Sequence, residues 1–351
     1  MGYISRLVLE NFTAFARFDQ EFCEGVNVFI GENGTGKTHV LKVLYSSSGI
    51  TGHSDESNFP PGRLSRLFPT QNWTGRLARL SINIKKSRSS FTISRNDLGK
   101  TITYKAHFKD HPELGTSSMS SWDIDEAEKT SPICVYNYIP TKEILVNAPG
   151  FLSTYANREI AFDITYPDIL QRAYLPKLRE ILPRQRELMD RIKSIIGGDV
   201  TQHSEKFFIA TSFGELDFNL VAEGHRKLAL LWLLLQNGSL APGSVLFWDE
   251  PEANLNPKLM RTLVEILLEL QRQGVQIFLA THQYDLLRWL YLLKGDTDKL
   301  RFFSLYNESG KDGVQVSVAD DYAGIQHDPT AQAGDALYDA VIERELRRSQ
   351  P

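Results

Sequence analysis

The stretch Gly31-Glu32-Asn33-Gly34-Thr35-Gly36-Lys37-Thr38 restricts this chain more than any other. It follows the apolar run Val26-Asn27-Val28-Phe29-Ile30 and precedes His39-Val40-Leu41-Lys42-Val43-Leu44, so the local prediction is strand, glycine-rich loop, helix. Gly31, Gly34 and Gly36 let the backbone curl until successive N–H groups point inward, and the helix starting near Lys37 adds its positive end. The result is a cradle for an anion. Asn33, Thr35 and His39 complete the loop and first helical turn around it. Lys37 can place a full charge between the outer phosphates of a nucleotide, and the Thr38 hydroxyl suits a magnesium ion touching the same phosphates. The ligand predicted is a nucleoside triphosphate, ATP, with Mg2+.

A second stretch supplies the partner such a loop needs. Val245-Leu246-Phe247-Trp248 is an apolar strand that ends in Asp249-Glu250-Pro251-Glu252. A carboxylate at a strand end can hold magnesium through water, the role that suits Asp249. Its neighbour Glu250 can orient or deprotonate an attacking water. Val275 to Ala280 is another buried strand and ends in Thr281-His282, where an imidazole could sense the γ-phosphate.

The remaining pattern fits an α/β class with a mainly parallel sheet. Residues 3 to 30 alternate as two or three strands. Leu80–Ile84, Ser90–Ser94 and Lys100–Tyr104 read as short antiparallel strands, with Asp110 to Glu128 as an acidic loop rich in Ser and Gly. Pro132 to Pro140 is a buried strand stopped by Pro140. From Ala156 to Ile196, including Leu175 to Leu182, the spacing predicts two helices broken by prolines, a compact helical insertion. Phe207–Ala210 and Leu216–Val221 are strand-like, a helix follows Glu223, and Asn256 with Pro257 caps the next. Two strands near 301–306 and 314–318 and a helix from about 335 to 348 complete the chain. The expected organisation is an N-terminal lobe at 1–150, a helical insertion at 151–204 and a C-terminal lobe at 205–351.

Composition excludes little but is consistent. The chain has 351 residues, 42% hydrophobic and 23% charged, enough for a sizeable core. Its longest apolar run, Leu228–Leu235, is too short to cross a bilayer. Met1 to Arg6 enters strand-like sequence without a secretory pattern, and the two cysteines, Cys23 and Cys134, lie in apolar segments. A cytoplasmic protein with buried free thiols is expected. The net charge of −4 gives no global attraction to nucleic acid, so such binding needs a local patch. Residues 76–105 hold one: Arg76, Arg79, Lys85, Lys86, Arg88, Arg95, Lys100 and Lys105 against the single acid Asp97. It could follow a phosphate backbone, or simply be the more common solvated edge on which lysine blocks strand aggregation.

In order along the chain, the loop at 31–38, the helix start Ala222-Glu223-Gly224-His225-Arg226-Lys227, Asp249 to Glu252, Asn254-Leu255-Asn256-Pro257 and Thr281-His282 resemble the ABC-type ATPases. The resemblance is to the branch of SMC-like, RecF-type and OLD-type proteins, and the opening Leu9-Glu10-Asn11-Phe12 also looks like that group. Tyr138 to Glu143 with Ala222 to Lys227 resembles small bacterial AAA ATPases often found in antiviral defence operons. The family implies a P-loop fold and a nucleotide sandwich, in which Gly224 and Asn256 of one subunit face the nucleotide of the other. Ala222 stands at the position of the usual signature serine, and Asn256 where an aspartate is common. Slow or partner-dependent hydrolysis follows as an expectation.

The function this implies is an ATP-driven switch in a homodimer or higher homo-oligomer, acting on a separate effector or toxin protein, with no membrane role. The alternative is a RecF-like repair ATPase that binds DNA through residues 76–105. On that alternative, DNA binding measured by fluorescence anisotropy is salt-sensitive and is lost when Lys85, Lys86 and Arg88 are reversed in charge.

Overall fold

The apolar run before the glycine-rich loop forms β3 (Val26–Gly31), and every residue of it is buried. A strand without a polar face must be covered on both sides, and β3 lies inside a six-stranded sheet. In spatial order the strands are β14 (Gln315–Ala319), β13 (Leu300–Tyr306), β3, β12 (Gln276–Thr281), β11 (Val245–Asp249) and β7 (Tyr136–Ile139). All neighbours are parallel except β13 and β14. The computed structural model describes residues 2–49, 60–68, 89–97, 99–111, 116–124, 134–158 and 160–348.

The two-residue period of the strands sorts their side chains into two cores. Val26, Val28, Ile30, Leu246, Trp248, Ile277 and Leu279 enter one, and Phe29, Phe247, Phe278 and Phe303 enter the other. The first core is covered by α4 (Thr165–Ala173), α5 (Pro183–Ile196), α6 (Glu223–Gln236), α7 (Pro257–Arg272) and α8 (Tyr284–Leu293). On the other face, α1 (Lys37–Ser46) and α2 (Pro60–Leu67) share a core with the parallel sheet and with an antiparallel sheet. That second sheet has the order β2 (Phe15–Glu21), β1 (Tyr3–Phe12), β4 (Ser89–Asp97), β5 (Lys100–His111) and β6 (Thr116–Ile124). The helix that follows the phosphate loop is thus held between two sheets.

Gln276 joins those sheets. Its amide accepts from the Ile4 N–H at 2.8 Å and donates to the carbonyls of Ile4 at 2.8 Å and Cys23 at 2.9 Å, all in buried or part-buried surroundings. A glutamine at the start of an otherwise apolar strand is therefore satisfied by backbone groups of Ile4 in β1 and of Cys23 in the link between β2 and β3.

The structure corrects several local expectations. Part of the segment read as an acidic loop is β6, whose backbone pairs antiparallel with β5 at the edge of the second sheet. The region read as two helices does hold two, α4 and α5, after the end of α3 (Phe151–Asn157), but Leu175 to Leu182, expected to be helical, is not. Pro176 and Pro183 bracket that segment and deny it a continuous hydrogen-bond ladder, so Leu175, Leu178 and Leu182 remain exposed. After α5 come three short antiparallel strands, β8 (Asp199–His203), β9 (Lys206–Thr211) and β10 (Gly214–Asp217), and the strand read at 216–221 gives way to a 3-10 turn at Phe218–Leu220. The last helix, α9 (Pro329–Arg348), starts earlier than its sequence pattern suggests because Asp328 accepts from the N–H groups of Thr330 and Ala331. The strand read at 80–84 lies outside the described residues, as do Arg76, Arg79, Lys85, Lys86 and Arg88. Cys23 and Cys134 are free and only half-buried, and burial pushes both thiols up to about 11.

Replacing Gln276 by Leu leaves buried backbone groups of Ile4 and Cys23 without partners. The variant is expected to lose about 2–4 kcal/mol of stability, read as a lower midpoint in urea denaturation.

Candidate functional site

The ends of β3, β12 and β11 lie side by side, because these strands are adjacent and parallel. The loop at 31–38, Thr281-His282 and Asp249-Glu250 therefore meet at the carboxyl edge of the sheet, the usual ligand-binding edge of an open α/β sheet. The loop lies more than 200 residues from the other two pieces in sequence, as with the 211 residues between Thr38 and Asp249, and the topology removes that separation.

The loop turns through left-handed backbone at Gly34 (φ 82°) and Gly36 (φ 90°). At Gly36 a side chain would be both strained and blocked, since a Cβ would lie 2.9 Å from the Phe15 ring. Gly36 also serves as the N-cap of α1 without any side-chain cap, so N–H groups of the first turn are left for another acceptor. The Thr35 hydroxyl donates to the Glu32 carbonyl at 2.9 Å and stiffens the turn. Glu32, Asn33 and Gly34 face solvent. His39 instead packs its ring edge-on to Phe68, with ring centroids 5.4 Å apart. Burial and the nearby Lys42 hold its imidazole below the usual histidine range.

Lys37 is buried and folds back over its own loop, donating to the carbonyls of Gly31 at 2.7 Å and Glu32 at 2.9 Å. Burial lowers its pKa, while Glu250, Asp249, Glu252 and Glu32 pull the other way. Thr38 donates its hydroxyl to Asp249, at 2.9 and 3.1 Å from the two carboxylate oxygens. Burial pushes the Asp249 carboxyl up to about 6; the Thr38 hydrogen bond opposes this and the neighbouring Glu250 adds to it. A hydroxyl and a carboxylate this close, beside a free-donor loop, form a hard-oxygen pair suited to Mg2+.

Glu250 adopts left-handed backbone (φ 50°), a conformation that costs a glutamate on the order of 1 kcal/mol or more. Its N–H donates to the Ala280 carbonyl at 2.8 Å, and its carboxylate lies 3.2 Å from Nδ1 of His282. The strain and the β12 contact aim the carboxylate at the end of β12. Glu252, two residues on, is buried and accepts from the Thr281 hydroxyl at 2.6 Å. Burial raises its pKa against that bond. Glu252 was not singled out by sequence, although a second acid just beyond Glu250 was its visible signal.

Gly224 and Asn256 form a second group. A Cβ on Gly224 would lie 3.0 Å from Leu255, so the start of α6 packs on the loop before α7 of its own chain. The Asn256 side chain accepts from the Lys258 N–H at 3.0 Å and caps α7. α6 begins at Ala222 with no side-chain cap. Arg226 of this helix pairs with the buried Glu143, beyond β7, at 2.8 Å, a contact across 83 residues that no local pattern signals.

This sheet order, with its strand ends and phosphate loop, defines an ABC-type ATPase of the SMC/RecF branch. The chain belongs to the family described as "AAA domain, putative AbiEii toxin, Type IV TA system", whose model matches residues 26–288. It is similar to the DNA replication and repair protein RecF of Clostridium botulinum (strain Eklund 17B / Type B), 34% identical over 158 residues, covering 45% of this chain and 38% of that protein. RecF of Bifidobacterium longum subsp. infantis is 24% identical over 184 residues, covering 51% of this chain and 37% of that protein. The matches thus span well under half the length of these relatives. Among solved structures, the fold is similar to an Smc head bound to the C-winged helix domain of ScpA, with TM-score 0.57, 12% identity and coverage of 92% of this chain and 98% of that one. An Smc head with an extended coiled coil, bound to the C-terminal domain of ScpA and derived from Pyrococcus furiosus, gives TM-score 0.50, 11% identity and coverage of 97% and 100%. Among the described residues no helix is long and apolar enough to cross a membrane.

The raised Asp249 pKa has a definite sign for stability. The folded chain holds that proton more tightly than the unfolded chain, so the contribution is full below 3.8 and is lost as pH rises through about 6. Above that range the ionised carboxylate costs the nucleotide-free protein about 3 kcal/mol, from a rise of the pKa from 3.8 to about 6. Asp249→Asn is expected to melt close to wild type at pH 4.5 and a few degrees higher at pH 7.5, by differential scanning calorimetry without nucleotide or metal.

Proposed function

We propose that this chain binds ATP with magnesium on the loop at 31–38 and hydrolyses it as a conformational switch. Two copies close over the nucleotide, and the change acts on a partner protein, in the setting of bacterial antiviral defence. The observation that carries the reading is the direct bond between Thr38 and Asp249 beside an uncapped, glycine-turned helix start. The residues suit the absent groups. N–H groups from Gly31 to His39 would receive phosphate oxygens, Lys37 would leave the two loop carbonyls for them, and Thr38 with Asp249 would hold the metal. Bound magnesium would supply charge neutralisation on the phosphates. Glu250, aimed by its strained backbone and by His282, would accept a proton from water. His282 would report occupancy of the site to β12.

In this reading residues 1–150 and 205–351 form the two ATPase lobes and 151–204 the insertion that carries the motion. Support comes from α1, whose outer face is tied to the insertion. Lys42 pairs with Asp163 at 2.7 Å and Tyr45 donates to Asp168 at 2.8 Å, which Arg63 also holds at 2.6 Å. A shift of the phosphate helix is thereby felt by α4. Gly224 and Asn256 would face the nucleotide of the second copy. Ala222 leaves the start of α6 without a hydroxyl, which favours slow or partner-dependent hydrolysis. The likeness to RecF supports a second reading, a DNA-binding repair ATPase.

Glu250→Gln is expected to trap the closed state. Light scattering should then show a doubled or larger mass with ATP and Mg2+, and the monomer mass with ADP. An unchanged mass with ATP, starting from monomer, removes the sandwich from the proposal.

A further inference from the structure

Lys227 is a buried cation with no role in the site described so far. It lies one turn into α6 and is 2% exposed, an unusual place for a lysine. Its ammonium donates to the carbonyl of Ala253, in the loop between Glu250 and α7. That loop is two tight turns, with the Ala253 N–H donating to Glu250 at 3.1 Å and the Leu255 N–H donating to Glu252 at 3.0 Å. It contains left-handed backbone at both Glu250 (φ 50°) and Asn254 (φ 57°). Two strained residues in five do not hold their geometry unaided.

The start of α6 grips this loop at three places. Glu223 accepts from the Asn254 amide at 3.0 Å, Gly224 packs on Leu255, and Lys227 holds Ala253. On its other side the loop is fixed to the end of β12 through Glu252 and Thr281 and through Glu250 and His282. Burial lowers the Lys227 pKa, while the charges of Glu223, Glu252, Glu250 and Glu143 oppose that shift. An apolar residue of equal length would fill the space without holding the carbonyl.

We propose that Lys227 is a positioning residue for Glu250: it fixes the strained loop 250–255 to the start of α6, so that engagement of that helix by a second subunit sets the aim of the Glu250 carboxylate. The inference rests on the hydrolytic reading above and adds to it a connection within one chain. The segment facing the partner's nucleotide and the carboxylate serving the chain's own nucleotide move as one piece.

The test compares wild type with Lys227→Met, using the full chain, single-turnover ATP hydrolysis and equilibrium binding of a fluorescent ATP analogue with Mg2+. The expected result is a fall of about tenfold or more in the hydrolysis rate with the nucleotide Kd within about twofold of wild type. A rate within about twofold of wild type, or a Kd that rises in step with the loss of rate, overturns the proposal. If Lys227→Met does not fold, Glu223→Ala removes a more exposed grip on the same loop. It should lower the rate in the same direction with Kd unchanged, and an unchanged rate overturns the proposal. If wild type alone binds ATP but does not hydrolyse it, the rate comparison bears on the hydrolytic reading and not on Lys227. Hydrogen exchange without nucleotide then decides the role of Lys227: amides of 250–255 must exchange faster in Lys227→Met while those of 31–38 do not, and equal exchange overturns it.

Discussion

An anion cradle made of backbone N–H groups is an unstable object on its own, because it gathers donors that point at one another's space and leaves them without acceptors. It persists only where the strand before it and the helix after it are both immobilised. Here β3 is buried along its whole length between β12 and β13, and α1 lies against two sheets at once. Phe15 closes on Gly36 from the antiparallel sheet, and Gln276 ties that sheet to β12. The remaining architecture serves to hold one loop in a conformation that only a ligand fully satisfies.

Charge is arranged with the same economy. Lys37 spends its hydrogen bonds on two carbonyls of the loop it serves, and Asp249 spends its carboxylate on Thr38. Each group thus has a partner while nucleotide and metal are absent, which limits the cost of burying an ion. Both partners are neutral, so a phosphate or a divalent cation competes with them easily. Glu250 is treated differently. It is kept partly exposed, in strained backbone, with His282 as its neighbour, an arrangement suited to a group that acts on water rather than one that stays bound.

Much of this site could be read along the chain because its parts are local. The glycines at 31–38, the apolar strand ending at Asp249 and the one ending at His282 each announce themselves within ten residues, since strand burial and loop curvature leave periodic and compositional marks. Contacts that cross the fold leave none. Arg226 gives no sign of Glu143, nor Lys227 of Ala253, and Gln276 looks like a polar interruption until the second sheet is placed against it. Local pattern also misled where proline broke a helical period, at 175–182, and where a serine-rich, acidic composition concealed an antiparallel edge, at 116–124. Asn256 shows both sides at once: its capping of α7 was legible, whereas any meeting with a second subunit depends on surfaces that a single chain does not contain.

By itself the sequence determined the class of fold and the kind of ligand, because glycine placement, strand hydrophobicity and terminal acids act over short distances and have few physical solutions. Tertiary structure decided which of those pieces meet. The parallel order of β3, β12 and β11 brings Thr38 to Asp249 and His282 to Glu250, and the packing of α6 on the loop at 250–255 joins the helix start to the acid. Those distances follow from sheet order and from core packing summed over the whole chain, quantities that no short window of sequence encodes.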